Sequence, residues 1–257
     1  MELNLISCNI RFDNPGDGDN SWSHRRTFLT EILLGHSPHI IATQEGRINQ
    51  LQDFCQLLGD FEIIDQHRSW IKERMYPSFF LRKNCFELLA SGDFWLSETP
   101  DVAGSISFES AFPRLMTWIK IQPKGANKKI LIINTHFDHI KEDTRLAQMK
   151  VLIQQIQKIY SPEYHLIIMG DFNDSPTSQI RKKLTDEFVK LQDAWLQHNQ
   201  IEETSHHAFK GEVQNGSRID WILIDQGPII QNCFMDKTHR QGQYPSDHFP
   251  VICKLKL

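Results

Sequence analysis

No apolar run in the 257 residues approaches membrane-spanning length, and Met1 to Asn9 has no basic lead-in to a long apolar core. A cytoplasmic protein without a membrane partner is therefore expected. An excess of positive charge is also missing. The formal net charge is −4, so no global field draws in nucleic acid, and only a local basic rim would serve a nuclease-type site. The five cysteines, Cys8, Cys55, Cys85, Cys233 and Cys253, include no Cys-x-x-Cys pair, which argues against a zinc knuckle and favours reduced thiols in the core. Without repeats, low-complexity tracts or linkers, the economical reading is a single domain over residues 1–257 and a monomer.

What is present is a globular composition, 40% apolar and 23% charged, sufficient for a real core. Short apolar runs of strand type recur, and several end abruptly in polar side chains. The clearest is His165–Asp174, where Leu166 to Met169 gives way to Gly170, Asp171, Phe172, Asn173 and Asp174. Ser175-Pro176 then reads as a helix start, with Ser or Asp as the cap and Pro at the first helical position. The plainer reading is an Asp/Asn turn that caps this helix.

Further strands are predicted over 2–10, 39–45, 61–65, 76–82, 86–96, 114–122, 129–136, 218–225 and 249–257. Helices are predicted from a Ser23 cap with Phe28, Leu29, Ile32 and Leu33 inward, over 46–58, and over 143–160. In that last helix Leu146, Met149, Ile153, Ile156 and Tyr160 form the inner face, with lysines and glutamines outside. The acidic loop Asp13–Asn20 invites a calcium-loop reading. Counting from Asp13, however, the twelfth position of an EF-hand falls on His24 instead of a bidentate Glu.

The polar residues at strand ends are Asn9, Glu45, His136, Asp171, Asn173, Asp220, Asp247 and His248. Taken singly, each has a bland explanation. Asn9 and Asn173 suit turns, Glu45 suits a helix start, and His136 suits a satisfied core histidine. Asp220 is harder to dismiss, because the apolar neighbours in Arg218–Ile224 bury its carboxylate and an unpaired charge there is costly. The imidazole of His248 is its natural partner, and such a pair favours the protonated ring. Carboxylates, imidazoles and carboxamides gathered at strand ends suit a hard divalent cation, Mg²⁺ or Mn²⁺, and a phosphate ester.

Six pieces in order resemble the endonuclease/exonuclease/phosphatase superfamily, which includes deoxyribonuclease I, the major apurinic endonucleases, neutral sphingomyelinases and inositol polyphosphate 5-phosphatases. They are Ser7–Arg11, Thr43–Glu45, Asn134–His136, Gly170–Asn173, Arg218–Ile222 and Ser246–Val251. Each alone is weak, but together they cover nearly the whole chain. Asn14–Trp22, Gly92–Pro100, Pro113-Arg114 and Asn134–His139 further resemble a bacterial group of metal-dependent hydrolases, largely uncharacterised. The resemblance implies an α/β fold, a four-layer α/β/β/α sandwich of two packed mixed sheets flanked by helices.

It also implies roles. Glu45 would be the principal metal ligand, helped by Asn9, with Asp247 completing the shell or supporting His248. Asp171 would deprotonate the attacking water, and Asn173 would hold that water or a phosphate oxygen. His248, held by Asp220, would donate to a non-bridging oxygen, and His136 would serve the phosphate or the leaving oxygen. Arg11 and Arg114 would contact phosphate. The reaction implied is metal-assisted hydrolysis of a phosphate ester, with a diester favoured and nucleic acid open as a substrate. The alternatives are a phosphomonoesterase acting on a sugar or inositol phosphate, or a dead binding protein on the same scaffold. One departure concerns Trp70–Pro77, where Arg74 stands in place of an expected acidic residue in a loop that borders the substrate.

Two rivals fit less of the chain. Gly170–Asp174 also matches an element of calcineurin-like metallophosphatases, but Asp65-Gln66-His67 is badly placed for their first motif and no Gly-Asn-His follows. His136–His139 resembles the tail of the metallo-β-lactamase zinc motif, but Asn134 replaces its first histidine.

Overall fold

Period-two alternation along the strands sets the layers. In β1 (Glu2–Asn9), Leu3 and Leu5 face one way into a cluster with the second sheet, while Ile6 and Cys8 face helices on the other side. The computed structural model describes residues 1–198 and 201–257. Its first sheet runs, edge to edge, through β11 (Ile229–Met235), β12 (Val251–Lys256), β1, β2 (Ile40–Gly46), β4 (Tyr76–Arg82) and β3 (Phe61–Ile63). The second runs through β5 (Phe86–Trp95), β6 (Leu115–Pro123), β7 (Lys129–His136), β8 (Tyr164–Asp171), β10 (Asp220–Ile224) and β9 (Gln192–Asp193).

Each sheet has one parallel pair near its centre, β1 with β2 and β7 with β8, and is otherwise antiparallel. Three apolar clusters make the four layers. Residues such as Leu5, Phe79, Ile132, Ile167 and Ile222 fill the space between the sheets. α1 (Trp22–Gly35) and α2 (Ile48–Leu57) cover the first sheet through Leu29, Leu33, Leu51 and Phe54. α3 (Glu142–Ile159) and α4 (Gln179–Glu187) cover the second through Met149, Leu152, Ile156, Ile180 and Leu184. This is the α/β/β/α sandwich that the family resemblance implies.

Several local expectations are corrected. α4 begins at Gln179, because the Ser178 side chain caps the N–H of Arg181, while Ser175-Pro176 forms a preceding turn closed by Ser178 N–H to Ser175 O at 3.0 Å. α1 starts one residue before Ser23, with Ser21 at its cap. Its inward positions go to Trp22, Arg25, Leu29 and Leu33, leaving Phe28 and Ile32 half-buried. On α3, Gln148 and Gln155 are buried, not outside. Gln148 accepts from Asp138 N–H at 2.9 Å and donates to Ser110 Oγ at 3.0 Å. Cys55 is exposed and Cys85 half-buried, whereas Cys8, Cys233 and Cys253 are core thiols. Among the described residues no helix is long and apolar enough to cross a membrane.

Candidate active site

The faces that fill the space between the sheets turn polar at one end. On β1 the series Leu3, Leu5 continues as Ser7 and Asn9, and on β2 Ile40, Ala42 continues as Gln44. Opposite them, Ile130 and Ile132 lead to Asn134 and His136, Ile167 and Met169 lead to Asp171, and Ile224 and Ile222 lead to Asp220. Parallel pairing makes β7 and β8 finish together, with His136 beside Asp171 in register. Antiparallel pairing brings the start of β10 to the same end, with Asp220 opposite Asp171. The two sheets meet there through buried amides, Gln44 Nε2 to Asn134 Oδ1 at 2.8 Å and Asn9 Nδ2 to Asp171 Oδ2 at 3.0 Å.

Glu45 does not follow the alternation. A bulge lies between Thr43 and Gly46, and Glu45 takes φ 66°, which aims its side chain at the cavity. Arg11 at φ 54° and Asn173 at φ 51° also hold left-handed backbone. Such strain, about 1–3 kcal/mol per residue, persists only where surrounding contacts enforce it. Glu45 Oε2 accepts from Phe12 N–H at 2.9 Å, and Asn173 N–H donates to Asp171 Oδ1 at 2.9 Å.

A cavity of about 460 Å³ opens at this end, and Arg11, Glu45, Arg114, His136, Asp171, Asn173, Asp247 and His248 all line it. Asn9 and Asp220 lie behind its wall, buried, where they hydrogen-bond Asp171 and His248. His248 Nδ1 is 2.8 Å from Asp220 Oδ2, and its Nε2 faces Asp171 Oδ2 at 3.8 Å. His136 Nε2 is 3.4 Å from the same oxygen and 4.0 Å from Glu45 Oε1.

Electrostatics separates the two imidazoles. Burial alone would keep His248 neutral, but the charge and hydrogen bond of Asp220, then Asp171 and Asp247, push its pKa up to about 10. Burial and the nearby Arg114 cation hold His136 well below the ordinary value, hence neutral. Arg114 Nη1 lies 3.0 Å from His136 Nδ1 and 3.2 Å from its Nε2, so the guanidinium can donate to whichever ring nitrogen of the neutral imidazole carries no proton. Burial and the charge of Asp220 raise the Asp171 carboxyl to about 7, against the lowering effect of His248, Asn173 and Asn9.

The donor set suits a hard cation. Glu45 Oε1, Asp171 and Asp247 offer carboxylate oxygens, and Asn9 Oδ1 already accepts Arg11 N–H at 3.0 Å. Mg²⁺ needs only one or two protein carboxylates, keeping waters for its other positions. Tighter groupings arise around His248, with Asp171 and Asp220, or with His206 and Asp247.

Some site residues had no signal in the sequence. His206 lines the cavity, its ring 4.7 Å from that of His248 and its Nε2 3.9 Å from Asp247 Oδ2. Arg25 on α1 is buried and donates to four backbone carbonyls, those of Ile10, Arg11, Asn20 and Pro245. It thereby fastens the loop after Asn9 to the loop before Asp247. From the divergent loop near Arg74, Met75 reaches the cavity.

Fold and site together define a deoxyribonuclease I-like sandwich. The chain belongs to the endonuclease/exonuclease/phosphatase family, hydrolytic phosphoesterases whose family model matches residues 6–248. A solved endonuclease/exonuclease/phosphatase from Bacteroides vulgatus superposes with a TM-score of 0.91 at 28% identity, over 100% of this chain and 99% of that one. The mannosyl-6-phosphatase of Bacteroides thetaiotaomicron superposes at 0.88 with 27% identity, over 99% of this chain and 100% of that one. An uncharacterized protein of Acanthamoeba polyphaga mimivirus is 26% identical over 247 residues, 90% of this chain and 91% of its own length.

Proposed function

We propose that the protein hydrolyses a small phosphate monoester, a sugar phosphate, with Mg²⁺ or Mn²⁺ as cofactor. The observation that carries this reading is Arg114. Its side chain is buried beside the cavity, makes no ion pair among the described residues, and leaves Nε without a hydrogen-bond partner. Among the described residues, its polar partners are the rings of His136 and His139. A buried cation with no direct ion pair is costly unless an anion arrives to pair with it. Arg11 enters from the other side but is held by Asp17 through two contacts of 3.0 Å. Arg114 together with protonated His248 matches the two charges of a monoester better than the single charge of a diester. The small cavity and the likeness to a mannosyl-6-phosphatase support the same choice, so the reading moves from the diester that the sequence favours to a sugar phosphate.

In the mechanism, Glu45, with Asn9 and Asp247 nearby, would hold the divalent cation, which would supply charge neutralisation at the phosphoryl oxygens. Asp171, poised near neutrality, takes the proton of the water that attacks phosphorus. Asn173 positions that carboxylate through its N–H, and its side-chain amide, anchored by Nδ2–H to Phe137 O at 2.9 Å, keeps Oδ1 for the attacking water. His248 Nε2–H donates to a non-bridging oxygen as charge develops. His136 faces the leaving oxygen, which takes up a proton from solvent as the phosphorus–oxygen bond breaks. Asp220 keeps His248 charged and oriented.

Among the described residues no disulfide joins the five cysteines, which fits a cytoplasmic setting. The deciding experiment is a panel of hexose phosphates, glycerol 3-phosphate, bis-(p-nitrophenyl) phosphate and abasic DNA, with Mg²⁺, Mn²⁺ or EDTA. Metal-dependent turnover that is fastest on the monoesters is expected. Faster cleavage of DNA or of the diester would overturn the monoester reading.

A further inference from the structure

Phe112 stands at the mouth of the cavity and is 43% exposed, although burial of such an apolar ring is favourable. Its position is nonetheless fixed. The turn that carries it is fastened to Asp138, a fully buried carboxylate, through Ala111 N–H to Oδ2 at 2.8 Å. Ser110 Oγ donates to Phe112 O at 2.7 Å and receives Gln148 Nε2–H at 3.0 Å. The other oxygen of Asp138 accepts Ile140 N–H at 2.9 Å, so the same hub sets the neighbouring His139. His139 stacks on Phe112 with centroids 6.0 Å apart and planes at 20°. Arg114 ties this pair to the phosphate end, with Nη2 3.4 Å from His139 Nδ1 and its guanidinium carbon 5.6 Å from the Phe112 centroid.

A preorganised, uncovered aromatic ring beside a phosphate pocket is a platform for the group that the phosphate leaves behind. Phe12, the other aromatic ring lining the cavity, is less free, because the Arg11 and Arg47 guanidinium carbons lie 4.5 and 4.8 Å from its centroid. We infer that Phe112, backed by His139, is the specificity-determining surface for the sugar ring, against which the C–H face of a hexopyranose 6-phosphate packs. This rests on the monoester reading above. The partial negative charge of an aromatic face attracts the polarised C–H groups of a pyranose. His139 and half-exposed His206 stand at the rim where ring hydroxyls need partners. An aromatic contact of this kind is worth about 0.5–1.5 kcal/mol, up to roughly tenfold in affinity.

The experiment compares kcat/KM of the Mg²⁺-loaded enzyme for mannose 6-phosphate, glycerol 3-phosphate and adenosine 5′-monophosphate, in wild type, Phe112→Ala and Phe112→Trp. Phe112→Ala is expected to lose up to about tenfold on mannose 6-phosphate, mainly in KM, with Phe112→Trp recovering most of it. The loss on glycerol 3-phosphate, which has no ring, is expected to be about threefold smaller or less. Equal losses on both substrates, or no advantage of Trp over Ala, would overturn the platform while leaving the monoester reading standing. Preference for the nucleotide with the same Phe112 dependence would replace the sugar by a base. Turnover of diesters alone would remove the monoester reading, and this inference with it.

Discussion

The side-chain amide of Asn9 donates to Asp171 Oδ2 at 3.0 Å, joining residues 162 apart in sequence and belonging to different sheets. The proposed general base is therefore oriented by the opposite layer, and its geometry depends on how the sheets pack. Asn9→Ala removes this donor and also the acceptor of Arg11 N–H. Each buried hydrogen bond lost in this way costs about 1–3 kcal/mol. A lower melting temperature is expected, with kcat reduced by about 10²-fold or more because the base is no longer held. Steady-state kinetics at a temperature where the variant is fully folded would check it, and activity within a few-fold of wild type would sink the cross-sheet role.

Arg68 secures the divergent loop at the rim. Its guanidinium donates to both oxygens of Asp93 at 2.9 and 3.1 Å, and to Ser78 Oγ, Pro77 O and Thr117 Oγ1. Burial would raise the Asp93 carboxyl, but the His67 hydrogen bond and Arg68 outweigh it and hold the pKa below the ordinary value. A carboxylate depressed in the folded state contributes stability above its unfolded pKa and loses it as pH falls through the folded one. Asp93→Asn leaves Arg68 without its counter-charge and is expected to cost roughly 3–5 kcal/mol at neutral pH. The gap to wild type should begin to close only below about pH 3.9. Melting curves across that range test it, and a gap that stays constant to the lowest pH at which both fold would contradict it.

Much of this site was legible because its residues terminate apolar runs. Asn9, His136, Asp171 and Asp220 each continue the inward face of a strand, so alternation alone puts them between the sheets. Glu45 also stands at a strand end, but its role came only through the resemblance, since regular alternation would turn it away from Gln44 and the bulge is what redirects it. β11 was missed because it is an edge strand with a register shift between Ile230 and Asn232, leaving Ile229, Gln231 and Asn232 exposed and no alternation to read. Arg25 and Gln148 look like surface residues of amphipathic helices. Their burial is decided by unpaired backbone groups in distant loops, which no local pattern records.

Gly170 occupies a backbone that other residues rarely adopt, φ 138°, immediately before Asp171. A Cβ there would lie 2.1 Å from the carbonyl oxygen of Thr135 on the neighbouring strand. Backbone cannot yield as a side-chain tip can, so Gly170→Ala must push β8 away from β7 just where His136 and Asp171 are in register. The expected result is a large loss of melting temperature, about 2–4 °C for each kcal/mol of strain in a chain this size, with activity falling alongside it. A variant with wild-type stability and turnover would show that the tight approach is dispensable.

Arg114→Met separates stability from function. Desolvation lowers the pKa of Arg114 despite the charges of Glu45, Asp171 and Asp138, so burial there works against the charged form of the side chain. Replacing it with an apolar chain of similar length removes a buried charge that has no ion-pair partner. Such replacements are often neutral or stabilising by about 1–4 kcal/mol. The melting temperature of Arg114→Met should therefore match or exceed that of wild type. Phosphate recognition should suffer, because a hydrogen bond to a charged group is worth roughly 1.5–3 kcal/mol, or about 10- to 100-fold in kcat/KM. Inhibition by inorganic phosphate should weaken in parallel. If Arg114 were structural instead, Arg114→Met would melt earlier and inhibition by phosphate would be unchanged, so thermal melting and phosphate inhibition measured on the same variant decide between the two.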